Sequence, residues 1–144
     1  MQVVTSFDRV GVQAMGVEMA GLETAKPIVV ICTRDRDRAT AFYRDTLGLT
    51  VTVEDDWSTN FDVSGTTLRL STVSDFTPHE HTILGFKVSD VAEAVVDLRE
   101  RGVTFNIYPN FAQDQLGVLT VPGTAVRVAW FRDPDGNVLS VTNA

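Results

Sequence analysis

The side chains whose type and spacing suit them to chemistry are few and scattered. Cys32 is the only cysteine, and so the only thiol that could act as a nucleophile. A reactive thiol needs a base or cation beside it, and no histidine falls at a position that a strand or helix period would bring near. A buried, inert thiol is the competing reading. The two histidines stand as His79-Glu80-His81. Residues i and i+2 of an extended chain point the same way, so this pair could grip a metal; a solvated linker is the alternative. Glu54-Asp55-Asp56-Trp57 joins negative charge to an indole, a pattern that attracts cationic aromatic ligands. The same residues also read as a solvated turn with one packed ring. Tyr108 and Phe111 lie on or beside the irregular stretch from Pro109 to Pro122. Two rings there could cover a flat ligand, or serve only loop packing.

The chain of 144 residues is long enough for one domain that buries roughly 70% of its unfolded surface. Hydrophobic residues make up 44% and charged residues 22%, in the globular range. The net charge of −7 gives no electrostatic footprint for nucleic acid. No apolar run approaches the roughly 18 residues that span a membrane. The first 25 residues lack a basic start followed by an apolar stretch, so a secretory leader is not expected. With a single cysteine and no such leader, the expected location is cytoplasmic.

The elements that must position these residues come next. Residues 1–25 read as an N-terminal arm, with a short helix between Val12 and Met19 as one option. Pro27 to Cys32 is a β-branched apolar run that reads as a buried strand. Asp35 offers an N-cap, Ala39, Phe42, Tyr43 and Leu47 follow at helical spacing, and Gly48 ends the helix. Thr50 to Glu54 is a strand, and residues 58–63 and 66–72 form a hairpin about Ser64-Gly65. The order then returns. Thr82 to Val88 is strand-like, and Asp90 with Glu93 forms a capping box ahead of a stripe of Val91, Ala94, Val95 and Leu98. Gly102 ends that helix, Val103 to Tyr108 reads as a strand, and residues 125–131 and 138–142 form a hairpin about Asp133-Pro134-Asp135-Gly136-Asn137. Two copies of one strand–helix–strand–strand–strand order, about 55 residues apart, predict an α+β fold of two βαβββ modules with curved mixed sheets around a shared cleft. The modules are expected at residues 26–73 and 81–144, within one domain of 26–144.

Residues from Arg38 to Leu49, with Ala41-Phe42-Tyr43-Arg44-Asp45-Thr46-Leu47-Gly48-Leu49 at their core, resemble the first helix of the vicinal-oxygen-chelate proteins. These are the glyoxalase, bleomycin-resistance and dioxygenase superfamily. Ile83 to Gly102 resembles their second strand–helix unit, and Asp133 to Asn137 their final hairpin. The resemblance implies a divalent metal held by one His or Glu from each of four strands. Counted onto this chain, those positions are Ile28, a site near Arg69, Ile83 and Ser140. Alkyl groups donate no lone pair, a guanidinium is a fixed cation, and a lone hydroxyl is a weak ligand. No metal and no other cofactor is therefore expected, and a two-residue slip that substitutes His81 for Ile83 still leaves only one good donor. Family likeness also implies a homodimer.

Strand alternation extends the list. If these positions face a cleft, so do Val30 and Cys32, Thr67 and Ser71, Gly85 and Lys87, and Val138 and Thr142. Symmetric pairing across the last turn sets Trp130 opposite Ser140. The resulting wall mixes Ile28, Cys32, Ile83 and Trp130 with Arg69, Ser71, Lys87 and Ser140, as a small-molecule site requires. Arg69 is the preferred anchor, for a ligand carboxylate or enolate; an internal pair with an acid such as Asp62 is the alternative. Three functions compete. The first is metal-independent binding of a small organic molecule, of the sequestration or resistance type. The second is a lyase, isomerase or dioxygenase acting on a small carbonyl or aromatic substrate. The third is a structural partner whose cleft is filled by its own side chains.

Overall fold

A computed structural model describes residues 21–144. The option of a helix between Val12 and Met19 lies outside the described residues. A short 3-10 turn, Leu22–Thr24, precedes β1 (Ile28–Thr33). The first module continues with α1 (Arg36–Ala41), a wide helical turn over Phe42–Thr46, and β2 (Thr50–Glu54), β3 (Ser58–Val63) and β4 (Thr66–Thr72). The second contains β5 (Thr82–Lys87), α2 (Val91–Glu100), β6 (Leu119–Thr120), β7 (Arg127–Arg132) and β8 (Val138–Thr142). Each forms a four-stranded mixed sheet of matching order, β1-β4-β3-β2 and β5-β8-β7-β6. The expected α+β architecture of two βαβββ modules is what the chain adopts.

Local chemistry explains the elements. Asp35 Oδ1 accepts from Arg38 N at 3.1 Å, and Asp90 Oδ1 accepts from Glu93 N at 3.0 Å, so both expected N-caps satisfy a helix-end amide. After Ala41 the first helix widens: Leu47 N donates to Phe42 O, five residues back, before Gly48 turns the chain at φ +79°. Ser64 and Gly65 both hold positive φ, 49° and 90°, the geometry of a two-residue hairpin turn.

One expected strand is absent. Within Val103 to Tyr108 only Phe105 bridges Phe131, and Asn106 N donates to Trp130 O at 2.7 Å. The chain then leaves the sheet at Pro109, which has no N–H to donate, and pairing resumes at β6 against Arg127 and Val128. The edge of the second sheet is thus shared by two short pieces with the long loop between them.

One core serves both modules. It contains Ala39 of α1 and Tyr43 of the wide turn that follows, Val91 and Val95 of α2, and Leu68, Leu70, Phe131 and Leu139 from the two sheets. Both helices therefore sit on the core side, which leaves each sheet a helix-free face. The modules are also joined by hydrogen bonds. Asn137 Nδ2 donates to Cys32 O at 3.0 Å, Arg34 N to Asp135 Oδ1 at 2.9 Å, and Tyr43 Oη to Asp133 Oδ2 at 2.8 Å.

Candidate functional site

The helix-free face of the first sheet is built by register. Val30 of β1 pairs with Arg69 of β4, which pairs with Asn60 of β3, which pairs with Val53 of β2. The next row sets Cys32 beside Ser71, and Ile28 begins the strand beside Thr67. Ile28 and Val30 are 48% and 56% exposed, while Ile31, Leu68 and Leu70, on the other face, are buried. Arg69 is half-buried, and its Nε donates to Asn60 Oδ1 at 3.2 Å. The alternative partner, Asp62, instead accepts from Gly65 N at 3.1 Å and so braces the hairpin turn.

In the second sheet Gly85 pairs with Ser140, and Ser140 with Trp130, as strand alternation predicts. A Cβ added at Gly85 would lie 3.0 Å from Ser140 Oγ, so this glycine gives the buried hydroxyl its space. Tyr108, Phe111 and Trp130 form one ring cluster, with centroids 5.5 to 5.6 Å apart. Phe111 is 47% exposed and forms its outer member. The loop that carries Tyr108 and Phe111 is pinned by Gln113. Its Oε1 accepts from Tyr108 N at 2.7 Å, and its Nε2 donates to Asn106 O and Gly117 O at 2.9 and 2.8 Å. Asn106 Nδ2 donates to Tyr108 Oη, which leaves the phenol proton available.

The remaining expected residues take these positions. Lys87 is exposed beside Thr142. Ile83 lies where the β5–β8 register slips between Thr82 and Leu84, and it packs on the core. Trp57 is 82% exposed in the turn between β2 and β3, away from the ring cluster. One of the acids before it is consumed locally: Asp55 Oδ1 accepts from Trp57 N and Ser58 N, bonds that hold its carboxyl below the usual carboxylate range. Cys32 is half-buried, and among the described residues nothing hydrogen-bonds its sulfur. His79 and His81 stack at 4.8 Å in the exposed linker, while Glu80 pairs outward with Arg132 at 3.0 Å.

The positions where the resemblance implies metal ligands supply two alkyl groups, one guanidinium and one neutral hydroxyl. That donor set does not fit a divalent ion. Among the described residues no group of three or more His, Cys, Asp or Glu side chains is placed to hold one.

Asn60 and Gln113 stand outside the expected site residues. Asn60 is legible in the hairpin: counting outward from Ser64-Gly65, it falls opposite Arg69. Gln113 carries no signal, because a loop glutamine has no period.

Paired modules of this order, each with its helix on the core side and an open sheet face, define a class of small α+β proteins. The chain belongs to the Glyoxalase/Bleomycin resistance protein/Dioxygenase superfamily, whose family model matches residues 27–141. Solved structures agree on the fold. The integron cassette protein HFX_CASS4, from the mobile metagenome of the Halifax Harbour sewage outfall, is similar at 18% identity and TM-score 0.67, over 84% of this chain and 99% of that one. Oxidase ChaP-H2 is similar at 20% identity and TM-score 0.63, over 84% and 94% of the two chains. A lactoylglutathione lyase from Agrobacterium tumefaciens is similar at 19% identity and TM-score 0.58, over 83% and 92%. No curated protein matches the sequence.

Proposed function

We propose that this protein binds a small organic molecule, without a metal, on the helix-free face of its two sheets. The observation that carries the reading is the cluster in which Tyr108 and Phe111, on a pinned loop, pack on Trp130 of β7, next to Ser140. Rings of this kind stack on a planar ligand, and the Tyr108 hydroxyl and Ser140 supply polar contacts at their edge. Ile28, Cys32, Arg69 and Ser71 extend the surface across the first sheet, and a homodimer belongs to the same proposal.

The test uses the Trp57→Phe variant, so that Trp130 is the sole indole. Saturable quenching by members of a panel of planar organic compounds is expected, and silence across the panel overturns the reading. Metal content separates it from a lyase, isomerase or dioxygenase of the same family. Stoichiometric Ni, Zn, Fe or Mn in protein purified without a tag would show that the ligand positions are assigned wrongly.

A further inference from the structure

We infer that Arg69 and Asn60 form an anion anchor, and that the ligand of this face is a small organic acid whose carboxylate meets the Arg69 guanidinium. The inference rests on the binding function proposed above and names its chemical class.

A half-buried guanidinium is costly unless an acceptor is close. The acceptor found is a neutral amide oxygen, Asn60 Oδ1, taken by Nε at 3.2 Å. Asparagine fixes the plane of the fork without cancelling its charge. Among the described residues no carboxylate lies within 4.0 Å of Arg69, although acids outnumber bases 19 to 12 in the sequence. Asp62, the nearest acid on this face of β3, gives its Oδ1 to the backbone of Gly65. With Nε committed, the two terminal nitrogens of Arg69 remain for a carboxylate, which they match as a two-pronged pair.

The flanks of the same row are apolar. Val30 pairs with Arg69 and Val53 with Asn60, and they are 56% and 51% exposed. Ile28, next on this face of β1, is 48% exposed. A fixed cation set between exposed aliphatic side chains is complementary to a compound that joins a carboxylate to a hydrocarbon or aromatic body. A free inorganic anion would leave those flanks in water.

The test compares 2-naphthoate with its neutral isostere 2-naphthamide on protein labelled with ¹⁵N. The Arg69 Nε–Hε resonance is assigned by its loss in Arg69→Lys. Naphthoate is expected to shift that resonance saturably, and naphthamide to leave it in place. Arg69→Met is expected to weaken naphthoate at least tenfold with no change for naphthamide, and Arg69→Lys, which keeps the charge but not the fork, to fall between. Equal affinity for acid and amide, or naphthoate binding with the Arg69 resonance unmoved, overturns the anchor and leaves the binding function standing. If neither probe binds at millimolar concentration the anchor is overturned as well, and the binding function is then judged by the wider Trp130 panel alone.

Discussion

Tyr43 shows how much one side chain of the family-like helix motif carries. Its ring is fully buried, and its hydroxyl donates to Asp133 Oδ2 at 2.8 Å. Burial, followed by the nearby Asp133 charge, raises the phenol well above the ordinary tyrosine range. Because the folded-state value is raised, the stabilisation is complete below pH 10 and is lost as pH climbs through the folded value. Denaturant unfolding is therefore expected to show wild-type stability falling above about pH 10 more steeply than that of Tyr43→Phe. Near neutrality the same variant, which withdraws a donor from a buried carboxylate, should cost about 1–3 kcal/mol. A variant as stable as wild type at pH 7 would show that the bond contributes nothing. At this scale the sequence was partly legible. Strand parity sets Trp130 opposite Ser140 and Arg69 on the helix-free face, while the internal partner of Arg69 is Asn60 and not Asp62, the acid weighed as the alternative to a ligand. Charge matching suggested the acid; hairpin counting selects the amide.

At the scale of elements, helices were legible because their ends carry chemistry. Asp35 and Asp90 each satisfy an amide that the helix cannot, so Asp35→Ala and Asp90→Ala should each lower stability by about 1 kcal/mol in urea unfolding. The split edge of the second sheet was not legible. Val103 to Tyr108 has a strand-like composition, but what decides its fate is Pro109 and the competing pair of Leu119 and Thr120 with β7, a long-range choice that no local period records. The loop between these pieces depends on Gln113, whose amide makes three bonds. Gln113→Ala is expected to leave far-ultraviolet circular dichroism unchanged while shifting Trp130 emission to the red in a Trp57→Phe background, as Tyr108 and Phe111 lose their seat on the indole. Unshifted emission would mean that the ring cluster holds itself.

For the whole molecule, the internal repeat made the architecture readable, yet it concealed an asymmetry. The turn joining β3 and β4 is the two-residue Ser64-Gly65, whereas its counterpart joining β7 and β8 is Asp133 to Asn137. The longer turn reaches the other module, where Asn137 meets Cys32 O, Asp135 meets Arg34, and Asp133 meets Tyr43. The shorter one does not fill the equivalent place: Val63, Ser64 and Thr66 face Leu84 to Val88 across a recess of about 430 Å³. One end of the module interface is therefore latched by polar contacts, and the other relies on the shared apolar core. A latch with so many buried partners should make the modules unfold together. Asn137→Ala removes the donor to Cys32 O and to Asp133 Oδ2, at an expected cost of about 1–3 kcal/mol. In native-state hydrogen exchange the amides of Leu70 in the first sheet and Leu139 in the second should lose protection by the same amount, because both open only with the whole molecule. If Leu139 loses protection while Leu70 keeps its wild-type value, the modules are separate cooperative units, and the Asp133 to Asn137 turn is a local clasp rather than the joint that makes them one.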